Sequence, residues 1–456
     1  MTRLASVALG GVTGDCGIAV CYRSARILLG AAPREVNRAG SAHEPVANNS
    51  GLSMASLRIR AEQWALEQIF KKLLDSDRLE VVYDRTIAKL ASPSDKIKVI
   101  PPTLFRALQI LARPDVALGQ TYVDDHWLVQ PERLYDFLHI IRSQNNSRLR
   151  NWFLISNHSH ALRDVLKQMI FPIRATRAVA EHYNTNVDFM SLVLGDSLSY
   201  TCAFFEPGDP SLEVAQRRKL DTIADRIAID GADTVLELGS GWGSSAFPLA
   251  ETYGCEVTGI SISSTQVQFC NQRKIMSSCG DLLQFVEIDY ADYNPQIEFD
   301  RVISIGMLEH VGKYQYKVFF DKIAQFIHVD GIALIHSMVA AEESSTDGWI
   351  DRYIFPGGYI PAISEVTSAI EESKCELVQL FTHEKVHYFQ TLDHWKNNLF
   401  NHREECEKAL RIQGMNALDT KTTIRIWEYF ISSSQIAFSP EFGTYRVAHF
   451  IVRRAK

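Results

Sequence analysis

The chain has 456 residues, 46% of them hydrophobic and 22% charged, with a formal net charge of −7 at pH 7. This length allows roughly two or three domains around a large core, and the composition is that of an ordinary globular protein. The acidic balance excludes wholesale nucleic-acid binding, and no run reaches the ~18 apolar residues of a spanning helix. Eight cysteines are scattered without a CxxC pair or a Cys/His cluster at zinc spacing, so no metal site is expected. They read as reduced thiols of a cytoplasmic protein.

Residues 1–54 are rich in Ala, Gly and Arg and read as a poorly ordered extension. Asp15 and Cys16 interrupt the apolar stretch that a signal peptide would need. Residues 55–140 predict a small α+β domain. "SLRIRAEQWALEQIFKKLL" carries Trp64, Ile69, Phe70, Leu73 and Leu74 at helical spacing. "LEVVYDRTIAKL" alternates like a strand. "DKIKVIPPTLFRALQILARP" predicts a strand, a Pro-Pro break and a short helix, and "VALGQTYVDDHWLV" a turn-rich edge.

Residues 141–180 form a basic linker. Arg142, Arg148, Arg150, Arg163, Lys167, Arg174 and Arg177 face a single acid, Asp164, and "NWFLI" and "MIFPI" lie between the charges. A solvated helical linker fits this pattern. So does a membrane-contact element, in which each basic residue contributes about 1 kcal/mol near an anionic surface.

Residues 181–456 are the expected catalytic domain. From 233 onward "DTVLELG", "CEVTGISIS", "QFVEIDY", "FDRVISIGM" and "GIALIHSM" alternate with helical stretches. "CELVQLFTHEKV" and "GTYRVAHFIVRR" read as two late strands. The rhythm predicts an α/β fold with a doubly wound sheet. "VLELGSGWGSSAFPLA" is a strand, a tight glycine turn and a helix start. Gly239, Gly241 and Gly243 permit close backbone approach. The spacing is GxGxG, and Glu237 lies two residues before the first glycine. A carboxylate there suits a cofactor bearing a cation, such as S-adenosylmethionine, better than a pyrophosphate. In "GMLEHVGKYQY", Glu309 follows a buried strand, where open α/β sheets bind ligands.

The ordered motifs together resemble the cyclopropane-fatty-acyl-phospholipid synthase family, including the related mycolic acid cyclopropane synthases, over about residues 60–456. They are "LSYTCAFF", "ELGSGWG", "GISISSTQ", "IGMLEHVG", "LIHSM", "DRYIFPGGYIP" and "VHYFQTLDHW". The resemblance implies a Rossmann-like, class I S-adenosylmethionine-dependent methyltransferase sheet. It also implies methyl transfer to a cis double bond of a phospholipid acyl chain, followed by ring closure, with bound bicarbonate as the base.

Carried over by motif, Cys202, Glu309, His336 and Tyr388 would hold bicarbonate, with the backbone near Met338. Tyr200, Thr201, Glu237, Gly239, Gly241, Gly243, Ser261, Ser263, Gln266, Asp289 and Tyr290 would hold S-adenosylmethionine. Taken alone, Cys202 also fits a packed small side chain and His336 a satisfied core histidine. A carboxylate at an apolar strand end is harder to leave unpartnered.

The implied partners are phospholipid acyl chains at a membrane surface, with peripheral membrane association; a homodimer is left open. Methyl or methylene addition without ring closure is the nearest alternative, and a non-catalytic lipid-binding protein the more distant one. Five positions in three places depart from the family pattern. Asn184, Asn186 and Val187 stand in place of an acid and a Gly-Asn pair, Ser240 where Cys is common, and Ser434 where a late cysteine often lies. No catalytic role is assigned to Ser434.

Overall fold

The computed structural model describes residues 62–64, 66, 77–83, 96–143, 186–342 and 347–456. The 1–54 extension, most of the 56–74 helix, Asn184 and every basic residue of 142–177 except Arg142 lie outside these ranges.

A small three-stranded sheet comes first: β1 (Leu79–Val81), β2 (Ile97–Ile100) and β3 (Leu128–Val129), with β1 and β2 parallel and β3 antiparallel to β2. Pro101 and Pro102 end β2. Thr103 then caps the helix Leu104–Ala112, its hydroxyl accepting from the Arg106 N–H. The expected turn-rich edge is instead a helix, Pro114–Val123, followed by β3. Its Gly119 is there for contact: a Cβ would lie 2.6 Å from the Tyr429 ring and 2.7 Å from the Trp349 ring.

Tyr122 and Trp127 are buried in one apolar cluster with Ile424, Trp427 and Tyr429 of the long helix Ala417–Ala437. The Tyr122 hydroxyl donates to Glu428 at 2.9 Å, and Glu428 is ion-paired to Arg403. Arg425 Nε donates to the Tyr122 carbonyl at 2.9 Å. Residues 97–143 and the late helices therefore share a core and a set of buried polar ties.

The main sheet has seven strands: β4 (Thr234–Leu238), β5 (Glu256–Ser261), β6 (Leu283–Glu287), β7 (Phe299–Ile305), β8 (Ile327–Ala340), β9 (Cys375–His383) and β10 (Tyr445–Arg454). Their order is β6-β5-β4-β7-β8-β10-β9. The five earliest run parallel, and β10 is antiparallel to both β8 and β9. Strands of a parallel sheet covered on both faces read as apolar runs, and Val235, Leu236, Leu238, Val302 and Ile303 are all buried. The chain steps outward from β4 to β6, then returns to β7 beside β4. That reversal is the topological switch point, where α/β sheets open a crevice at their carboxyl ends.

Among the described residues no helix is long and apolar enough to cross a membrane. The six described cysteines are free and buried.

Candidate active site

Two adjoining cavities lie over the switch point. The first is lined by the glycine turn after β4, the end of β5, Asp289 and Tyr290 after β6, Gly306 and Met307 after β7, and Tyr200 and Thr201. Glu237, at the end of β4, is 2% exposed, and its Oε2 has no hydrogen-bond partner. Burial pushes this carboxyl up to about 8, against the Ser245 hydroxyl and Lys219, which pull it down. Gly241 has φ +52°, and a Cβ there would project into open space. Ser261 donates to Gln266 at 3.1 Å, and Ser263 caps the helix Ser264–Ile275.

All the residues assigned to S-adenosylmethionine line this cavity except Gly243. Gly243 is buried against Phe247, whose ring a Cβ would meet at 2.7 Å. The missing Cβ lets the turn close on the following helix. The unsatisfied Glu237 oxygen and the left-handed Gly241 fit a cationic ligand brought close to backbone.

The second cavity shares Tyr200, Thr201, Gly306 and His310 with the first. Cys202, Glu309, His336 and Tyr388 all line it, and they come from four elements: the 198–205 segment, the short helix Leu308–Val311, β8, and the helix Lys385–Asn401. Its far wall is largely apolar or aromatic, with Leu118, Ile350, Phe355, Ile360, Leu392 and Phe438.

Glu309 is 4% exposed. Its Oε1 accepts from the Met338 N–H at 2.6 Å, while Oε2 has no partner. Burial pushes this carboxyl up to about 7, against the Met338 N–H and the nearby Ser337 hydroxyl; that hydroxyl donates its own hydrogen bond to the Met338 carbonyl at 2.9 Å, not to Oε2. The backbone near Met338 was expected to grip the anion itself; its N–H is instead spent on holding Glu309. The Glu309 carbonyl accepts from the Tyr359 N–H at 2.8 Å, which ties "DRYIFPGGYIP" to the same cavity.

Burial raises the Cys202 thiol well above its ordinary range, so it stays a neutral thiol. His336 is held neutral, chiefly by burial and then by the positive charges of Lys219 and Arg226. The arrangement sets a small group of buried polar side chains beside a largely apolar wall.

Residues 172–449 match the family model described as mycolic acid cyclopropane synthetase. The chain belongs to this family. A probable fatty acid methyltransferase of Pseudomonas putida is 31% identical over 270 residues, a match covering 57% of this chain and 65% of that protein. The cyclopropane-fatty-acyl-phospholipid synthase of Escherichia coli is 29% identical over 289 residues, covering 62% and 70%. A crystal structure of the mycolic acid cyclopropane synthase CmaA1 with SAH and CTAB superposes with a TM-score of 0.54 at 24% identity, over 60% of this chain and 97% of that one.

As a mycolic acid cyclopropane synthetase family member, the chain is a class I S-adenosylmethionine-dependent methyltransferase by fold. Its family comprises S-adenosylmethionine-dependent cyclopropane-forming and methyl-transferring enzymes that act on lipid acyl chains. Two departures have local explanations. Asn186 caps the helix Val187–Leu194, accepting from the Asp188 N–H at 2.7 Å. Ser434 lines the second cavity.

His310, which with Glu309 makes a charged pair after the buried strand in the sequence but carries no assigned role there, lines both cavities. One buried residue beside the site went unnoticed in the sequence. Lys219 is 1% exposed and donates to Ser199, Thr201 and Gln216 at 2.7–2.8 Å. Burial pushes its ammonium down to about 7, with Cys202 and Glu237 pulling the other way. The available signal was its spacing: Gln216, Lys219, Leu220 and Ile223 share the buried stripe of the helix Leu212–Arg226.

Proposed function

We propose that this protein transfers the methyl carbon of S-adenosylmethionine to a cis double bond of a phospholipid acyl chain and closes a cyclopropane ring, with bound bicarbonate as the base. When bound, the cofactor would supply an electrophilic methyl group, and bicarbonate would accept the proton lost on ring closure.

The observation that carries this reading is the unpartnered Glu309 oxygen in a cavity joined to the glycine-turn cavity through Gly306. A buried carboxylate oxygen calls for a hydrogen-bond donor, and a bicarbonate hydroxyl is one. Glu309 would fix that hydroxyl, leaving the anion's other oxygens towards the developing cation. His336, Cys202 and Tyr388 would complete the enclosure. Glu237 would meet the ammonium of the cofactor, and the glycine turn would lie against its backbone-facing edge. The apolar wall would hold the alkyl chain and exclude water.

The name of the Pseudomonas putida relative favours a second reading, plain methyl addition without ring closure. Docking on a bilayer is supported by Phe105 and Leu108, 66% and 54% exposed on the helix Leu104–Ala112 beside Arg106 and Arg113. Pro114 and Leu118, just beyond, line the second cavity.

The test is mass spectrometry of vesicles of unsaturated phospholipid incubated with the protein and S-adenosylmethionine, with and without bicarbonate. A gain of one CH2 unit with loss of double-bond reactivity, dependent on bicarbonate, is expected. A product that keeps a double bond favours the second reading, and full rate in bicarbonate-free buffer removes the assigned base.

A further inference from the structure

Three histidines and an arginine form a chain behind the second cavity. His336 on β8 stands directly opposite His449 on β10, and His449 opposite Phe381 on β9. Cross-strand neighbours at such positions project to the same face of the sheet. The His336 Nδ1 and His449 Nε2 atoms are 2.9 Å apart, with both residues buried. Behind them one nitrogen of the Arg226 guanidinium reaches two imidazoles, His449 through Nδ1 and His383 through Nε2, the latter at 2.9 Å. The guanidinium is stacked 3.9 Å over the Phe381 ring. Among the described residues no group of three His, Cys, Asp or Glu is placed to hold a metal ion, and here a cation already lies between two of the imidazoles.

Arginine has only donors and stays charged. Both nitrogens that it touches must therefore present lone pairs. His449 Nδ1 carries no proton, so the neutral ring carries its proton on Nε2 and donates it to His336 Nδ1. His336 Nδ1 is then an acceptor, and its own proton is on Nε2, the nitrogen left for the cavity. Burial, followed by the positive charge of Arg226, holds His383 down to about 3. Burial is also the first cause that keeps His336 and His449 neutral, followed by Lys219 for His336 and by the neighbouring imidazoles and then Arg226 for His449.

We propose that Arg226 and His449 are positioning residues that fix His336 as the Nε2–H tautomer, so that it meets the second cavity as a hydrogen-bond donor. The cavity then offers one fixed donor at His336 and one bare acceptor at Glu309 Oε2. That pairing is complementary to a small acid anion carrying both a hydroxyl and a bare oxygen. This consequence rests on the bicarbonate reading above, whereas the tautomer assignment does not.

The experiment has two arms. Full-length protein labelled with 15N-histidine is examined at neutral pH by long-range 1H–15N correlation, with His336 and His449 assigned from single variants. Both are expected as neutral Nε2–H tautomers, and finding His336 protonated on Nδ1 overturns the proposal.

Methyl transfer to unsaturated phospholipid vesicles is then measured for His449→Gln and His449→Phe. Glutamine can accept from Arg226 and donate to His336, so kcat should stay within a few-fold of wild type. Phenylalanine can do neither, and kcat should fall roughly 10- to 100-fold with KM for S-adenosylmethionine unchanged. A folded His449→Phe variant with wild-type kcat also overturns the proposal. If His449→Phe does not fold, the wild-type spectrum still decides. Bicarbonate-independent turnover with the assigned tautomers would remove the anion reading and leave the relay standing.

Discussion

Glu309→Gln should make the protein more stable and nearly inactive at the same time. The carboxyl moves from an ordinary value of 4.5 to about 7 in the fold, mainly by burial. A raised carboxyl pKa opposes folding once the unfolded chain has ionised. No penalty exists below 4.5; it grows as pH rises from 4.5 towards 7 and is complete above 7. Two and a half units correspond to about 3 kcal/mol.

Glutamine can keep the bond from the Met338 N–H through its carbonyl oxygen and has no charge to bury. Calorimetric unfolding at about pH 8 should therefore show the variant more stable by up to ~3 kcal/mol, with the difference vanishing at about pH 4.5. Turnover, measured as methyl transfer to unsaturated phospholipid vesicles, should fall about 100- to 1000-fold, the usual loss when one preorganised transition-state contact is removed. Affinity for S-adenosylmethionine should stay within a few-fold. A variant less stable than wild type at the higher pH, with full turnover, would mean that Glu309 is paired and structural.

Three further outcomes are expected. Since the Glu237 carboxyl lies at about 8, binding of the cationic cofactor at pH 7 should release about one proton and tighten as pH rises towards 8. Calorimetry in two buffers of different ionisation enthalpy measures this, and proton-free binding would refute it. Gly241→Val should abolish cofactor binding with the fold largely intact, because the side chain enters the cavity from a left-handed backbone position at φ +52°; titration showing nicotinamide-dinucleotide binding in the wild type instead would refute the cofactor assignment. Replacing Phe105 and Leu108 together by Asp should weaken co-sedimentation with anionic vesicles. In the wild type that binding should also weaken with salt, given screening over about 8 Å at physiological ionic strength; indifference to both changes would remove the docking surface.

The central strands were legible because a parallel sheet covered on both faces leaves predominantly apolar runs; "VLELG" and "VISIG" are such runs, each broken by a single polar residue, Glu237 and Ser304. The glycine turn was legible for the same reason: nothing else joins a buried strand to a helix so tightly. Direction was not legible. "GTYRVAHFIVRR" reads as a strand, but only the sheet shows that β10 is inserted antiparallel between β8 and β9.

The helix Pro114–Val123 was hidden by Gly119, whose place is set by what presses on it from Trp349 and Tyr429. Local propensity does not record such contacts. Gly239, Gly241 and Gly243 look alike in sequence, yet the third supports Phe247 rather than the cavity. Arg226 and His449 carry no motif: each makes sense only beside a partner that is distant in sequence.

The second cavity takes part of its wall from Pro114, Asp115 and Leu118, whereas the family match begins at residue 172. With the second cavity as the acyl-chain site of the proposed function, preference for one fatty chain over another can drift through mutations that leave the family signature untouched. Relatives that align closely over the catalytic portion need not share a substrate, and a chimera carrying residues 172–449 on another member's amino-terminal half would inherit the chemistry while taking its selectivity from the donor of that half.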